Sequence, residues 1–115
     1  MAVTVTPDRF SSESDAETFF ETLGLHVLTQ DRPARRSEPH WHDFDAKIFV
    51  VTGELSLTEV DTGIVHQCGP GALVEVDAGT MHVEDFPEYR SVTGLTVPYD
   101  QMSKPIDKPA PVTLG

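Results

Sequence analysis

The 115-residue chain has few basic residues and a single cysteine, and each scarcity excludes a class of function. Eight lysines and arginines stand against nineteen acidic residues, which gives a formal net charge of -11. Phosphate backbones and anionic membranes are bound through basic patches, so we expect no nucleic-acid and no membrane partner. The lone cysteine, Cys68, excludes an internal disulfide and a cysteine-rich zinc site, and it fits a reducing compartment.

Long apolar runs are also missing from the chain. No stretch approaches the roughly 20 apolar residues of a membrane-spanning helix, and the N-terminal residues lack the basic and apolar regions of a secretory signal. Apolar residues nevertheless make up 38% of the chain, which is enough for the core of one domain of this length. We therefore expect a single-domain globular protein of the cytoplasm.

Only one segment has the pattern of an amphipathic helix. Ser14 and Glu17 have the spacing of a capping box, and Gly24 is a natural stop. The apolar residues between these signals recur at helical spacing: Ala16, Phe19, Phe20 and Leu23. The pattern predicts a short N-terminal helix over residues 15–23, packed on the outside or at the edge of a sheet.

The remainder of the chain is typical of an all-β fold. From Leu25 onward, short β-branched segments alternate with turn signals every 8–12 residues, which favours a β-sandwich or barrel. The last 18 residues contain four prolines and are excluded from a central strand, so they form either a disordered end or an arm on a partner. We divide the chain into an N-terminal extension (1–30), a barrel (31–98) and a proline-rich tail (99–115).

Three of the five histidines lie in two glycine-bounded motifs. PHWHDFDAKIFVVTG contains His40, His42 and Gly53, and GALVEVDAGTMHVEDF contains Gly71, Gly79 and His82. Alternate side chains of a strand share a face, so His40 and His42 point the same way. These residues match the histidine and glycine spacing of the two cupin motifs. The chain thus resembles the cupin superfamily, which implies a jelly-roll β-barrel with a metal site in its mouth.

The resemblance has three departures. The position of the first motif's glutamate is Ala46, and the second motif's proline and asparagine positions are Asp77 and Phe86. The implied metal ligands that remain are His40, His42 and His82. Such a set suits a divalent transition metal: zinc, iron, nickel, copper or manganese.

Three acidic residues near the histidines could replace the missing carboxylate. Glu84 lies two residues beyond His82 on the same face of a strand, and it is the better candidate for a further ligand or a catalytic acid or base. Asp43 and Asp45 alternate away from the histidines in a straight strand, although a turn could bring them back. We expect Cys68 in the core, Trp41 pointing away from its flanking histidines, and structural roles for His26 and His66.

Two functions follow from this interpretation. The first is a metal-dependent enzyme acting on a small molecule, of the dioxygenase, isomerase or lyase type that the resemblance implies. The alternative is a non-catalytic cupin that binds a small ligand such as a sugar or an organic acid. The sequence leaves open whether the protein is an enzyme. A partner small molecule is expected in either case, and small cupins often pair, so a homodimer is expected too.

Overall fold

The computed structural model describes residues 2–102 and 106–109. Within them the chain forms eleven strands, one α-helix and one 3-10 helix, Tyr99–Gln101. In chain order, the α-helix and strands are β1 (Val3–Thr6), α1 (Glu13–Thr22), β2 (His26–Arg32), β3 (Arg35–Arg36), β4 (His40–Trp41), β5 (Ala46–Thr52), β6 (Leu55–Glu59), β7 (Val65–Cys68), β8 (Leu73–Val76), β9 (His82–Phe86), β10 (Tyr89–Leu95) and β11 (Lys108–Pro109).

The strands form two antiparallel sheets. The first has five strands in the order β1-β8-β5-β10-β2, and the second runs β11-β4-β9-β6-β7, with β3 paired to β9. Strands that are distant in sequence lie next to one another, as in β1 beside β8. This arrangement is the jelly-roll barrel with one short helix that the sequence predicts.

The hydrophobic core lies between the two sheets. Alternate positions are buried along most inner strands, and in β6 the buried positions are Leu55, Leu57 and Glu59. The residues of this core are Val3, Ile48, Val50, Leu55, Leu57, Cys68, Ala72, Val74, Val76, Phe86 and Tyr89. Cys68 is buried and free, as expected of a core residue.

The helix covers the outer face of the five-stranded sheet. Ala16 and Phe20 are fully buried and pack against Phe49, Leu73 and Val92. The predicted capping box was wrong, because the helix begins two residues earlier. Its N-cap is Ser12, whose Oγ accepts a hydrogen bond from the backbone N–H of Asp15 at 3.1 Å.

The displaced capping residue has another partner. The Glu17 carboxylate accepts a hydrogen bond from the Thr29 hydroxyl of β2 at 2.6 Å, so it ties the helix to the sheet instead of capping it. The helix ends at Thr22, one residue before the predicted end, and Gly24 follows with a φ of +74°.

Gly53 turns the chain between β5 and β6, and the position requires glycine. Its φ is +88°, in the left-handed region that L side chains rarely adopt. A Cβ there would lie 2.7 Å from the Cβ of Tyr89. The motif glycine therefore allows the turn to pass against the start of β10.

Described segments near both ends of the chain take part in the sheets. β1 and β2 are the two edge strands of the five-stranded sheet. In the tail, β11 pairs with β4, so residues 106–109 lie on their own barrel. The tail was expected to be a disordered end or an arm on a partner, and both predictions are wrong for these four residues. Residues 103–105 and 110–115 lie outside the described part, and the divisions at 30 and 98 remain predictions.

Candidate metal centre

Two neighbouring strands bring the three motif histidines together. His40 in β4 lies directly opposite His82 in β9, and His42 follows two residues after His40. The imidazole centroids are 4.3 Å apart for His40 and His82, 5.0 Å for His40 and His42, and 5.2 Å for His42 and His82. The antiparallel pairing thus converts two sequence motifs into one cluster.

Each of the three rings is fixed by a backbone carbonyl. Nδ1 of His40 lies 2.8 Å from the Glu38 carbonyl oxygen, and Nδ1 of His82 lies 2.8 Å from that of Thr80. Nδ1 of His42 lies 3.0 Å from the carbonyl oxygen of Ile106 in the tail. A carbonyl only accepts hydrogen bonds, so each Nδ1 must donate. The neutral rings consequently carry their lone pairs on Nε2, the arrangement of metal-binding histidines.

Glu84 completes a group of four. One ligand atom from each of His40, His42, His82 and Glu84 lies within 4.8 Å of every other. Opposite ligands around a metal at about 2.1 Å would be about 4.2 Å apart, so the four atoms span little more than one coordination shell. Three imidazole nitrogens and one carboxylate oxygen fit a divalent transition metal and could hold one.

The carboxylate comes from a different strand than the cupin motif implies. Ala46, at the motif's glutamate position in β5, is buried and lines the cavity beside the histidines. Glu84 projects from β9, two residues after His82, as the period of the strand predicts. The small side chain of Ala46 thus leaves space on one wall while Glu84 supplies the acid from the other.

Charge interactions stabilise the ionised form of Glu84. Burial raises its pKa, but the His82 hydrogen bond and the positive charge of Arg32 outweigh burial and lower the pKa to about 2. Glu84 Oε1 lies 3.5 Å from His82 Nε2. Burial lowers the pKa of His82, but Glu84 and the Thr80 carbonyl reverse this effect, so the net shift is upward.

His42 differs from His82 because no carboxylate offsets its burial to the same extent. Burial lowers the pKa of His42, and the neighbouring His82 and His40 lower it further, although the Ile106 carbonyl acts in the opposite direction. The neutral form, which binds metals, is therefore favoured at this ring.

Two of the four residues, His42 and Glu84, line a cavity of about 960 Å³. Such a volume accommodates a small organic molecule. Most of the lining is apolar, with Phe44, Ile48, Leu95 and Met102 among the side chains. The described tail residues Ile106 and Asp107 form part of the wall, so the cavity is built from both sheets and from the tail.

Three charged residues of the cavity were missed by the sequence interpretation. Arg32, Arg35 and Asp107 all line it. Asp107 Oδ1 lies 3.8 Å from Nε2 of His40, and its Oδ2 accepts a hydrogen bond from Arg35 at 3.1 Å. The strand period could have placed Arg32 on one face with His26, Leu28 and Gln30 of β2, and all four line the cavity.

The other candidate residues lie outside the four-residue group. Asp45 accepts a hydrogen bond from the Ala78 backbone N–H at 2.8 Å, and Asp43 lies 3.8 Å from Lys108. Nε1 of Trp41 donates to the Pro109 carbonyl at 3.2 Å. His66 Nε2 lies 3.8 Å from Glu59, and His26 is an exposed residue at the cavity.

Comparison with known proteins supports the fold. Neither a protein-family model nor a curated sequence matches the chain. Among solved structures, a DUF861 family protein from Thermotoga maritima is 16% identical with a TM-score of 0.60, over 82% of this chain and 99% of its own. An ethanolamine utilization protein Q of Salmonella typhimurium is 16% identical with a TM-score of 0.53, over 83% and 69%. Procruciferin, an 11S globulin from Brassica napus, is 18% identical with a TM-score of 0.50, over 82% and 24%.

These similarities and the two sheets show that the chain has the cupin fold. The fold carries a His/His/His/Glu group of the kind that binds metals. In the described part of the chain, no helix combines the length and apolar character needed to cross a membrane. Identities below 20% show the fold alone, so the reaction has to be argued from the site.

Proposed function

We propose that the protein binds a divalent transition metal through His40, His42, His82 and Glu84 and acts as a metal-dependent enzyme on a small molecule. The observation that carries this proposal is the orientation of the three imidazoles. Each is held through Nδ1 by a carbonyl, which leaves Nε2 with the lone pair, and one ligand atom of each ring lies within 4.8 Å of the others and of the Glu84 carboxylate. The metal is one of zinc, iron, nickel, copper and manganese.

The chain's own residues have separate tasks in this function. The histidines and Glu84 would hold the ion, and a bound metal would supply Lewis acidity toward a ligand oxygen. The apolar wall around Phe44, Leu95 and Met102 would exclude water from the body of the substrate. Asp107, whose Oδ1 lies 3.8 Å from Nε2 of His40, would place a second carboxylate at the edge of the site.

The position of Glu84 favours an enzyme over a non-catalytic binding protein. A carboxylate directed into the cluster gives the site a fixed ligand or a base, whereas an acid in solvent would leave only three histidines and a shaped cavity. Glu84 is buried, with 7% of its surface exposed. The non-catalytic alternative predicts ligand binding without turnover.

Metal content tests the first half of the proposal. Protein purified without an affinity tag is analysed by elemental mass spectrometry, together with His82→Ala and the control His66→Ala. We expect near-stoichiometric metal in the wild type and the control, and little or no metal in His82→Ala. Metal-free wild type that also fails to take up added zinc, iron, nickel, copper or manganese would contradict the proposal.

Turnover tests the second half. The metal-loaded protein is incubated with small carbonyl, hydroxy and dihydroxy acids while oxygen uptake and proton NMR spectra are followed. Conversion that requires both the metal and His82 is expected of an enzyme. Binding without conversion of any bound acid would favour the non-catalytic alternative.

A homodimer in the cytoplasm remains our prediction for the assembly and location. Light scattering coupled to size-exclusion chromatography distinguishes a dimer of the 12.6 kDa chain from a monomer. Fractionation of cells that produce the full chain tests the location.

A further inference from the structure

The cavity is lined by two arginines, although the chain is strongly acidic. The formal net charge is -11, with only eight lysines and arginines in the whole sequence. Two of these, Arg32 and Arg35, line the same cavity as His42 and Glu84. Two of so few basic residues thus lie beside the candidate metal centre. A charged side chain in a cavity is stabilised by a partner of opposite charge, so a partner is expected for each arginine.

The two arginines differ in whether a partner is present. Arg35 donates to the Asp107 carboxylate at 3.1 Å, so its charge is matched. Among the residues that the structure describes, no carboxylate forms an ion pair with Arg32. Its charge acts on Glu84 from a distance. A half-buried guanidinium with no carboxylate in contact is suited to an anionic ligand, because its planar set of N–H donors favours a bidentate anion.

Aromatic rings hold Arg32 at the cavity wall. Its guanidinium carbon lies 5.1 Å from the centroid of the Phe86 ring and 6.0 Å from that of Tyr89. These two rings are buried and pack edge to face with centroids 4.7 Å apart. Phe86 stands where the cupin motif has asparagine, so this departure from the motif gives the arginine a rigid aromatic support.

The charges of the cavity also favour an anion once a metal is bound. Among its described lining residues, Arg32 and Arg35 carry two positive charges, and Glu84 and Asp107 carry two negative charges. These four cancel, so a divalent ion bound by neutral histidines leaves the cavity with two positive charges. An anionic ligand would neutralise them in a site of low dielectric constant.

We propose that the ligand of this cavity is a small organic acid whose carboxylate binds Arg32 while a second oxygen faces the His40, His42, His82 and Glu84 group. This inference rests on the proposed metal function for its second contact, whereas the contact with Arg32 depends only on the arginine. The apolar walls would take the hydrocarbon body of the acid. Arg32 is thus the residue that selects acids over their neutral analogues.

Matched probes test this assignment. Mandelate and phenylpyruvate, each paired with its neutral amide, are titrated by calorimetry into metal-free and zinc-loaded protein. Wild type is compared with Arg32→Gln, Arg32→Lys and the control Arg36→Gln. Arg36 pairs with Asp85 at 2.9 Å and is not among the residues that line the cavity, so its substitution removes the same charge elsewhere.

We expect at least one acid to bind the wild type more tightly than its amide. Arg32→Gln should weaken that acid about 10- to 100-fold and leave the amide unchanged, because charge-assisted hydrogen bonds are lost. Arg32→Lys should lose less affinity than Arg32→Gln, and the control Arg36→Gln should bind the acid nearly as tightly as the wild type. Melting temperatures of the variants check that each is folded.

Failure of this proposal is distinguishable from failure of the metal function. If zinc does not bind but the acid still prefers wild type over Arg32→Gln, the metal proposal fails and the anion site stands. If zinc binds but neither acid is preferred over its amide, or Arg32→Gln changes nothing in either form, the anion site is overturned.

Discussion

The interior of the barrel has two unlike halves that the same strands build. At the closed half, Leu55, Val50 and Val74 have no exposed surface. At the site half, the inward positions carry imidazoles, a carboxylate and the cavity. Strand β9 passes from one half to the other, since its inward side chains are His82, Glu84 and Phe86. The inward side chains of a single strand therefore take part in core packing at one end and in the candidate site at the other.

The two halves share the same strands and differ in the side chains that point inward. On β5, Ala46 and Ile48 line the cavity and Val50 is sealed in the core. Close packing of large apolar side chains stabilises the closed half. The site half is less closely packed, because it contains a cavity and polar side chains. Substitutions in one half should accordingly affect stability and those in the other should affect binding.

The largest expected effect comes from a change in the closed half. Leu55→Ala removes a fully buried side chain, so it should lower the free energy of unfolding by about 3 kcal/mol. Urea unfolding of the metal-free protein measures this loss. Zinc binding by the fraction that remains folded should be unchanged, and a parallel loss of zinc affinity would show that the two halves are coupled.

A smaller effect is expected from moving the carboxylate within the site half. Glu84→Gln should weaken zinc binding about 10- to 100-fold, because a neutral amide is a poorer ligand. Adding Ala46→Glu to that variant places an acid at the cupin motif's own position and should restore most of the affinity. Calorimetric titration of zinc measures both changes.

The matched control for this pair is Glu75→Gln. Glu75 forms an ion pair with Lys47 and is not part of the four-residue group. It should bind zinc like the wild type. An equal loss of affinity in Glu75→Gln, or full affinity in Glu84→Gln, would remove Glu84 from the ligand set.

The smallest effect should come from Glu59, which links the two sheets. Its Oε1 accepts a hydrogen bond from the Val3 backbone N–H at 2.7 Å, and Thr62 donates to its Oε2 at 2.9 Å. The Val3 hydrogen bond lowers the pKa of Glu59 below its usual 4.5, although burial acts in the opposite direction. His66, 3.8 Å away, is the titratable group that faces it.

The lowered pKa fixes the sign of the pH dependence. The folded state favours the ionised carboxylate, so its stabilisation is complete above about pH 4.5 and is lost as the pH falls through the folded pKa. Glu59→Gln should cost about 1–2 kcal/mol at pH 7 and progressively less below pH 4.5. Urea unfolding across this range, with the exposed Glu21→Gln as control, measures the difference, and a cost that grows toward low pH would contradict it.

The sequence predicted the positions that depend on short spacing. His40 and His42 follow from a strand period of two, and Glu84 follows from His82 by the same rule. The resemblance to the cupin motifs further predicted that His82 of the second motif lies beside His40 and His42 of the first. The helix was predicted, but its cap was not, because Ser12 and Ser14 are both followed by an acid three residues later and only packing decides between them.

Residues that approach from distant segments were beyond the sequence. Asp107 reaches the histidines because β11 pairs with β4, a contact across more than 60 residues with no local signal. Arg32 depends on the register of β2 with β10, which sets it opposite Tyr89. Such contacts are fixed by tertiary packing. The period of β2 indicates which residues share a face with Arg32, but not what that face lies against.

The most direct test of the metal centre uses cadmium as a spectroscopic replacement. Protein labelled with ¹⁵N is loaded with one equivalent of ¹¹³Cd, and couplings between the metal and the imidazole nitrogens are measured by NMR. Couplings to Nε2 of His40, His42 and His82, with none to His26 or His66, are the predicted result. Coupling through Nδ1, coupling to His26 or His66, or the absence of bound cadmium would contradict the assignment.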